Sequence, residues 1–161
     1  MKQIEILKKT RKYLLNLIED ISIEELNEIP AGFKNNIIWN LAHMLASQQG
    51  VCYKRAGLDL TIDEQYFLDY KPETKPGHFV DTKEVDKIKN LFLSTIDQLE
   101  KDYHDNVFLN YPAWTNRYGV EHTNIEDTIT FLLFHEGLHL GYIMALKRVV
   151  KRNVTVGISD V

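Results

Sequence analysis

The segment His135-Glu136-Gly137-Leu138-His139 places two imidazoles four residues apart. On a helix, positions i and i+4 lie about 40° apart and one turn along the axis, so both rings can reach one metal ion. Their neighbours are apolar: Phe131 to Phe134 before them, and Leu138, Leu140, Ile143 and Met144 around them. Imidazoles on such a helix cost desolvation unless their nitrogens are satisfied. Two unrelated hydrogen-bonded histidines would meet that demand, but for a spaced pair on an apolar helix a metal ion is the better reading.

The same string matches H-E-x-x-H, the zinc-peptidase pattern in which Glu136 would be the general base. Many such peptidases take a third ligand well downstream. Here no Glu follows Glu136, no His follows His139, and the one later Asp is Asp160. The extended H-x-x-G-x-x-H form also fails, because Gly141 arrives one position early. The peptidase reading is set aside, and Glu136 stays as a minor catalytic candidate.

A third ligand must then come from upstream. His43 is the strongest candidate, in the middle of Trp39-Asn40-Leu41-Ala42-His43-Met44. Cys52 is nine residues further on, about 180° round the helix, and reads as a small buried residue. His78 lies in a long connection and reads as a solvated loop residue. His104 falls near a helix end, where a cation suits the dipole. His122 is thirteen residues before His135, about 19 Å away if helical.

Four long segments with helical periodicity must position these groups. Ile4, Leu7, Leu14 and Ile18 predict a helix over 2–20. Ser22 with Glu25 forms a capping box and predicts a short helical turn before Pro30. Asn35 or Asn36 caps a second long helix over 36–56, apolar nearly all round and therefore buried on most sides. Asp81 with Glu84 opens a third over 82–104, and Thr123 with Glu126 a fourth over 124–150. Residues 58–80, holding Pro72, Pro76 and Gly77, read as a long crossover; 106–122 leaves room for a short hairpin; the tail from 151 has no clear element. The prediction is an all-α, single-domain chain over 1–161, a four-helix bundle with a long crossover between the second and third helices.

Composition agrees with a globular domain. Of 161 residues, 44% are apolar and 26% charged, and 8 Gly with 4 Pro are few for an all-β protein. A formal charge of −4 argues against a general nucleic-acid partner. The lone cysteine forms no internal disulfide and requires no oxidising compartment. No signal-peptide-like stretch follows Met1, and apolar runs such as Phe131–Phe134 fall far short of the roughly 18–20 residues of a membrane span. The expectation is a cytoplasmic protein with no membrane partner.

With these residues in view, the chain resembles the DinB/YfiT-like family of metal-dependent enzymes. The match rests on length, four helices, the His of Asn36–Gly50 and the H-x-x-x-H of Phe134–Arg148. The resemblance implies that His43, His135 and His139 bind a divalent metal, zinc or nickel, in a bundle of up-down-down-up order that is often a homodimer. Many members continue the second motif as H-R-G-Q. Here His139 is followed by Leu140-Gly141-Tyr142, so the Gly matches and the Arg and Gln do not.

Three imidazoles leave a metal position open, which is a catalytic pattern, since structural zinc is normally closed by four protein ligands. The resemblance implies a small-molecule substrate and either a hydrolase, using activated water, or a transferase using a low-molecular-weight thiol. The alternative is a non-catalytic stress-response or binding module with a structural or absent metal. Tyr142, about 60° from His139, is a second minor catalytic candidate. Ser47 and Lys54 return to the face of His43, and Tyr66, Phe67, Tyr70 and Phe79 of the crossover are candidates to line a pocket. Because His must be neutral to ligate, metal binding is expected to weaken as pH falls through ~6.5.

Overall fold

The structure, a computed structural model, describes residues 1–156. It is mostly helical: α1 Lys2–Leu17, α2 Ile23–Asn27, α3 Ile37–Gln49, α4 Glu64–Tyr70, α5 Thr82–His104 and α6 Ile125–Val156. A two-stranded antiparallel pair, β1 Trp114–Thr115 and β2 Glu121–His122, precedes α6, with Trp114 opposite His122. The all-α expectation holds. The helices α1 and α3 each pack against both α5 and α6.

The expected caps explain most helix starts. Ser22 and Glu25 form the full reciprocal box, Asn36 accepts from the Trp39 N–H, and Asp81 accepts from the Glu84 N–H. The α6 start differs by one residue. The Asp127 N–H donates to Asn124 Oδ1 at 2.8 Å, while the Thr123 N–H and hydroxyl both donate to the Asp127 carboxylate. Asn124 is thus the cap, not Thr123 with Glu126, because Asn reaches the N3 amide as well as Thr does and Asp127 then serves the preceding residue.

Two further expectations are corrected. The 58–80 crossover is not without structure: Asp63 caps α4 through the Tyr66 N–H, and α4 packs on α3 with Tyr66, Phe67 and Tyr70 buried. Seven residues are too few to show a clear helical period, and Pro72 and Pro76 just after them mask them. The tail from 151 continues α6 as far as Val156; its remainder, 157–161, lies outside the described residues.

All thirteen residues of α3 are buried, as its all-round apolar pattern requires. Each fully buried Ile, Leu or Met contributes roughly 1.5–3 kcal/mol, so α3 anchors the core. A π-helical turn, Gly50–Lys54, extends α3 and turns Cys52 and Tyr53 into the core. At Gly50 a Cβ would come within 3.2 Å of the Phe67 ring, so glycine lets α4 approach closely there. By length and composition alone, Ile125–Lys151 of α6, which holds an 18-residue window of mean hydropathy 1.4, is long and apolar enough to cross a membrane, a property its short apolar runs did not foreshadow. In the fold that stretch packs on α1 and α3.

Candidate metal centre

Packing of α3 on α6 brings His43, His135 and His139 together. One ligand atom from each ring lies within 4.8 Å of the other two. Three such points lie within about 2.8 Å (4.8/√3) of a common centre. Zinc–nitrogen bonds are about 2.0–2.1 Å, so the rings need to close in by about 0.8 Å at most. Ring centroids are 4.6 Å apart for His135–His139, 4.9 Å for His43–His139 and 5.5 Å for His43–His135.

Two of the rings are oriented through their far nitrogen. His43 Nδ1–H donates to the Tyr70 carbonyl at 2.8 Å. That carbonyl is free because α4 ends at Tyr70, and the last carbonyls of a helix have no partner within it. His139 Nδ1–H donates to Asn40 Oδ1 at 2.8 Å. The Asn40 amide cannot turn round without loss, because its NH2 donates to the Asn36 carbonyl at 2.7 Å. In both rings Nε2 therefore carries the lone pair. This is the arrangement of metal-ligating histidines, whose second nitrogen donates to a carbonyl or carboxamide. Ser47 Oγ lies 3.2 Å from His43 Nε2, and Trp39 stacks on the His43 ring at 4.7 Å with an interplanar angle of 9°. His135 Nδ1 is buried without a hydrogen-bond partner. An orphaned buried nitrogen is costly, and a metal ion at this point would remove the cost if that nitrogen is the ligand. The donor set fits a divalent ion.

Electrostatics keeps the rings neutral. Burial, then the neighbouring His139, His43 and Arg117, lower the His135 pKa to about 3. Burial, then His43 and Arg117, lower that of His139 to about 4. For His43 burial outweighs the hydrogen bond to the Tyr70 carbonyl, and the pKa is again lowered. In the folded protein, protons therefore compete for these nitrogens below the ordinary imidazole range, not at ~6.5.

The remaining candidates lie elsewhere or do other work. Glu136 is 1% exposed and bonded to Arg11, itself 0% exposed. Arg11 Nη2 reaches Glu136 Oε1 at 2.5 Å and Gln48 Oε1 at 2.9 Å, and Nη1 donates to the Phe92 carbonyl at 2.8 Å. Tyr142 packs edge-on against Phe33 at 5.5 Å. His78 pairs with Glu84 at 3.1 Å, His122 stacks on Trp114 at 4.4 Å, and His104 ends α5. Cys52 is fully buried in the core, and burial raises its pKa.

Two cavities adjoin the histidines. One of about 840 Å3 touches all three rings together with Trp39, Arg117 and Leu138. The other, about 530 Å3, meets only His135 and extends to Ser47, Lys54, Phe67 and Trp114. Phe67 thus lines a cavity as anticipated, and Lys54 joins it there, whereas Phe79 is 57% exposed and lines neither. Sequence reasoning missed Asn40, the Tyr70 carbonyl and Arg117. Asn40 stood three residues before His43 on a buried helix, a placement that itself demands a polar partner.

Histidines from two helices meeting at one buried point, in an all-α chain, define the class of this protein as one with a candidate histidine metal site. The chain belongs to the DinB superfamily, whose family model matches residues 6–143. No curated protein matches the chain.

Proposed function

We propose that the protein is a divalent-metal-dependent enzyme acting on a small molecule, with zinc or nickel held by His43, His135 and His139. The observation that carries this reading is three neutral imidazoles, two of them oriented through Nδ1, meeting beside a cavity of about 840 Å3. The ion would supply Lewis-acid activation of a nucleophile, water in a hydrolase or a low-molecular-weight thiol in a transferase. Among the described residues the cluster has no fourth Cys, Asp, Glu or His, which favours an open site over a closed structural one.

The chain's own residues divide the remaining work. Tyr70 and Asn40 fix the ring orientations, and Trp39 covers one face of His43. Ser47 sets a hydroxyl 3.2 Å from the His43 Nε2 lone pair. Glu136 is engaged by Arg11 and takes no part as a base. Contacts of α1 and α3 with both α5 and α6 support a single four-helix bundle, for which the resemblance implies up-down-down-up order and a homodimer. Light scattering giving only an 18.8 kDa monomer would remove the dimer.

Elemental analysis of protein purified without added metal tests the reading, followed by hydrolysis and thiol-transfer assays on metal-loaded and chelated samples. Stoichiometric zinc or nickel with metal-dependent turnover is expected. Protein that takes up neither ion would overturn it and favour a non-catalytic module.

A further inference from the structure

The 530 Å3 cavity beside His135 has a charge pattern unlike the rest of the chain. The protein is acidic, at −4, yet Lys54, Arg55 and Arg117 line this cavity and no carboxylate does. None of the three forms an ion pair among the described residues, whereas other lysines such as Lys8, Lys147 and Lys151 do. The neighbouring cavity adds Lys34 and Lys75 against one carboxylate, Glu73.

The cations are held in place by the aromatic part of the wall. Arg55 lies 4.2 Å from the Trp114 ring centre and Lys54 4.8 Å from that of Phe67. Stacking of this kind leaves guanidinium and ammonium donors free at their edges. Arg117 is presented by the turn between β1 and β2. There Asn116 Oδ1 accepts from the Tyr118 and Val120 N–H groups, and Gly119 takes a φ of +79°. Arg117 lines both cavities, so it stands where a molecule reaching from one to the other would pass. Much of the remaining wall is apolar, with Ala46, Val51, Phe131 and Leu132 beside His135 in its lining.

We infer that this cavity binds an organic anion, whose carboxylate or phosphoryl head group is taken by Arg117, Lys54 and Arg55 and whose apolar body lies against Phe67, Trp114 and Phe131, with the reacting end toward His135. The inference deepens the proposed function by giving that site a substrate class, and rests on it only for the reach to the metal. Unpaired cations on a part-apolar wall reward such a ligand twice, through charge-assisted hydrogen bonds and through buried apolar area. A neutral analogue of the same shape gains only the second.

The test compares phenylacetate, phenyl phosphate and neutral phenylacetamide, titrated by NMR into metal-free protein. The wild type, Arg117→Gln and the Lys54→Gln/Arg117→Gln double variant are each used. Both sites are exposed, so these substitutions leave the core intact. At least one anion should bind about tenfold or more tightly than the amide, more weakly at high salt, with the preference reduced at least about threefold in the double variant, which keeps only Arg55. Preference for phenylacetate or for phenyl phosphate tells carboxylate from phosphoryl. Equal binding of anions and amide, no binding of any probe, or a preference undiminished in the double variant overturns the inference. Zinc uptake is measured on the same samples. Uptake without anion preference sinks the subsite alone, and anion preference without uptake sinks the metal reading alone.

Discussion

Glu136 offers the sharpest separation between a catalytic and a structural residue. Replacing it with Leu keeps similar volume but leaves Arg11 buried without its counter-charge. Arg11 would lose contacts at 2.5, 3.1 and 3.2 Å and keep only the neutral acceptors Gln48, Thr95 and the Phe92 carbonyl. Removing one partner of a buried ion pair costs about 3–5 kcal/mol, because the remaining charge stays desolvated. Against a total of roughly 5–15 kcal/mol that is a large fraction of the stability. With an m-value of about 2 kcal/mol per molar urea, the midpoint should fall by roughly 2 M. Equilibrium urea unfolding of the metal-free protein, followed by far-UV circular dichroism, measures it. The Arg11→Met/Glu136→Leu double variant removes both charges and should regain most of the loss, since apolar replacement of a whole buried pair is often neutral or stabilising. Folded Glu136→Leu should still bind zinc one-to-one. A single variant within about 1 kcal/mol of wild type, or a double variant no more stable than the single, would refute the reasoning.

Asn40→Ala removes the acceptor for His139 Nδ1–H and should weaken zinc affinity by about 10–100-fold, while Asn40→Asp, which keeps an acceptor, should lose less; competition with a chromophoric chelator reads both. The pKa values of His135 and His139 are lowered by folding, so the unfolded chain takes up protons first as pH falls. Metal-free stability should therefore be fully present above about 6.5 and decline as pH drops toward the folded values near 3–4, by on the order of several kcal/mol at about 1.4 kcal/mol per pK unit. Urea midpoints measured across that range should show a shallower slope once the three histidines are replaced by glutamine, and an unchanged slope would count against buried neutral rings.

Much of this architecture is written in local periodicity. The long helices follow from their apolar stripes and capping residues, and the His135–His139 pair from i, i+4 spacing. The Arg11–Glu136 pair was also half visible. Arg11 occupies the missing place in the stripe Ile4, Leu7, Leu14, Ile18, and Glu136 one of the two missing places in Ile129, Leu132, Ile143, Leu146, the other being His139. A charge on a core stripe requires a partner, but nothing in the sequence names one 125 residues away. The H-E-x-x-H match drew Glu136 toward the metal, although one residue from His135 is about 100° round the helix. Other features had no sequence signal at all. The acceptor for His43 is the Tyr70 backbone carbonyl, present whatever the side chain. Arg117 reaches the site because a hairpin of two-residue strands folds it there. The helix α4 is too short to declare its period.

The central claim is that His43, carried by a different helix, completes the site begun by His135 and His139. Zinc titration into metal-free protein against a chromophoric chelator, for wild type and His43→Ala, tests it most directly. One zinc per chain in the wild type, with affinity falling sharply in His43→Ala at unchanged helix content, is the result this account predicts. Equal affinity and stoichiometry in the two proteins would contradict it.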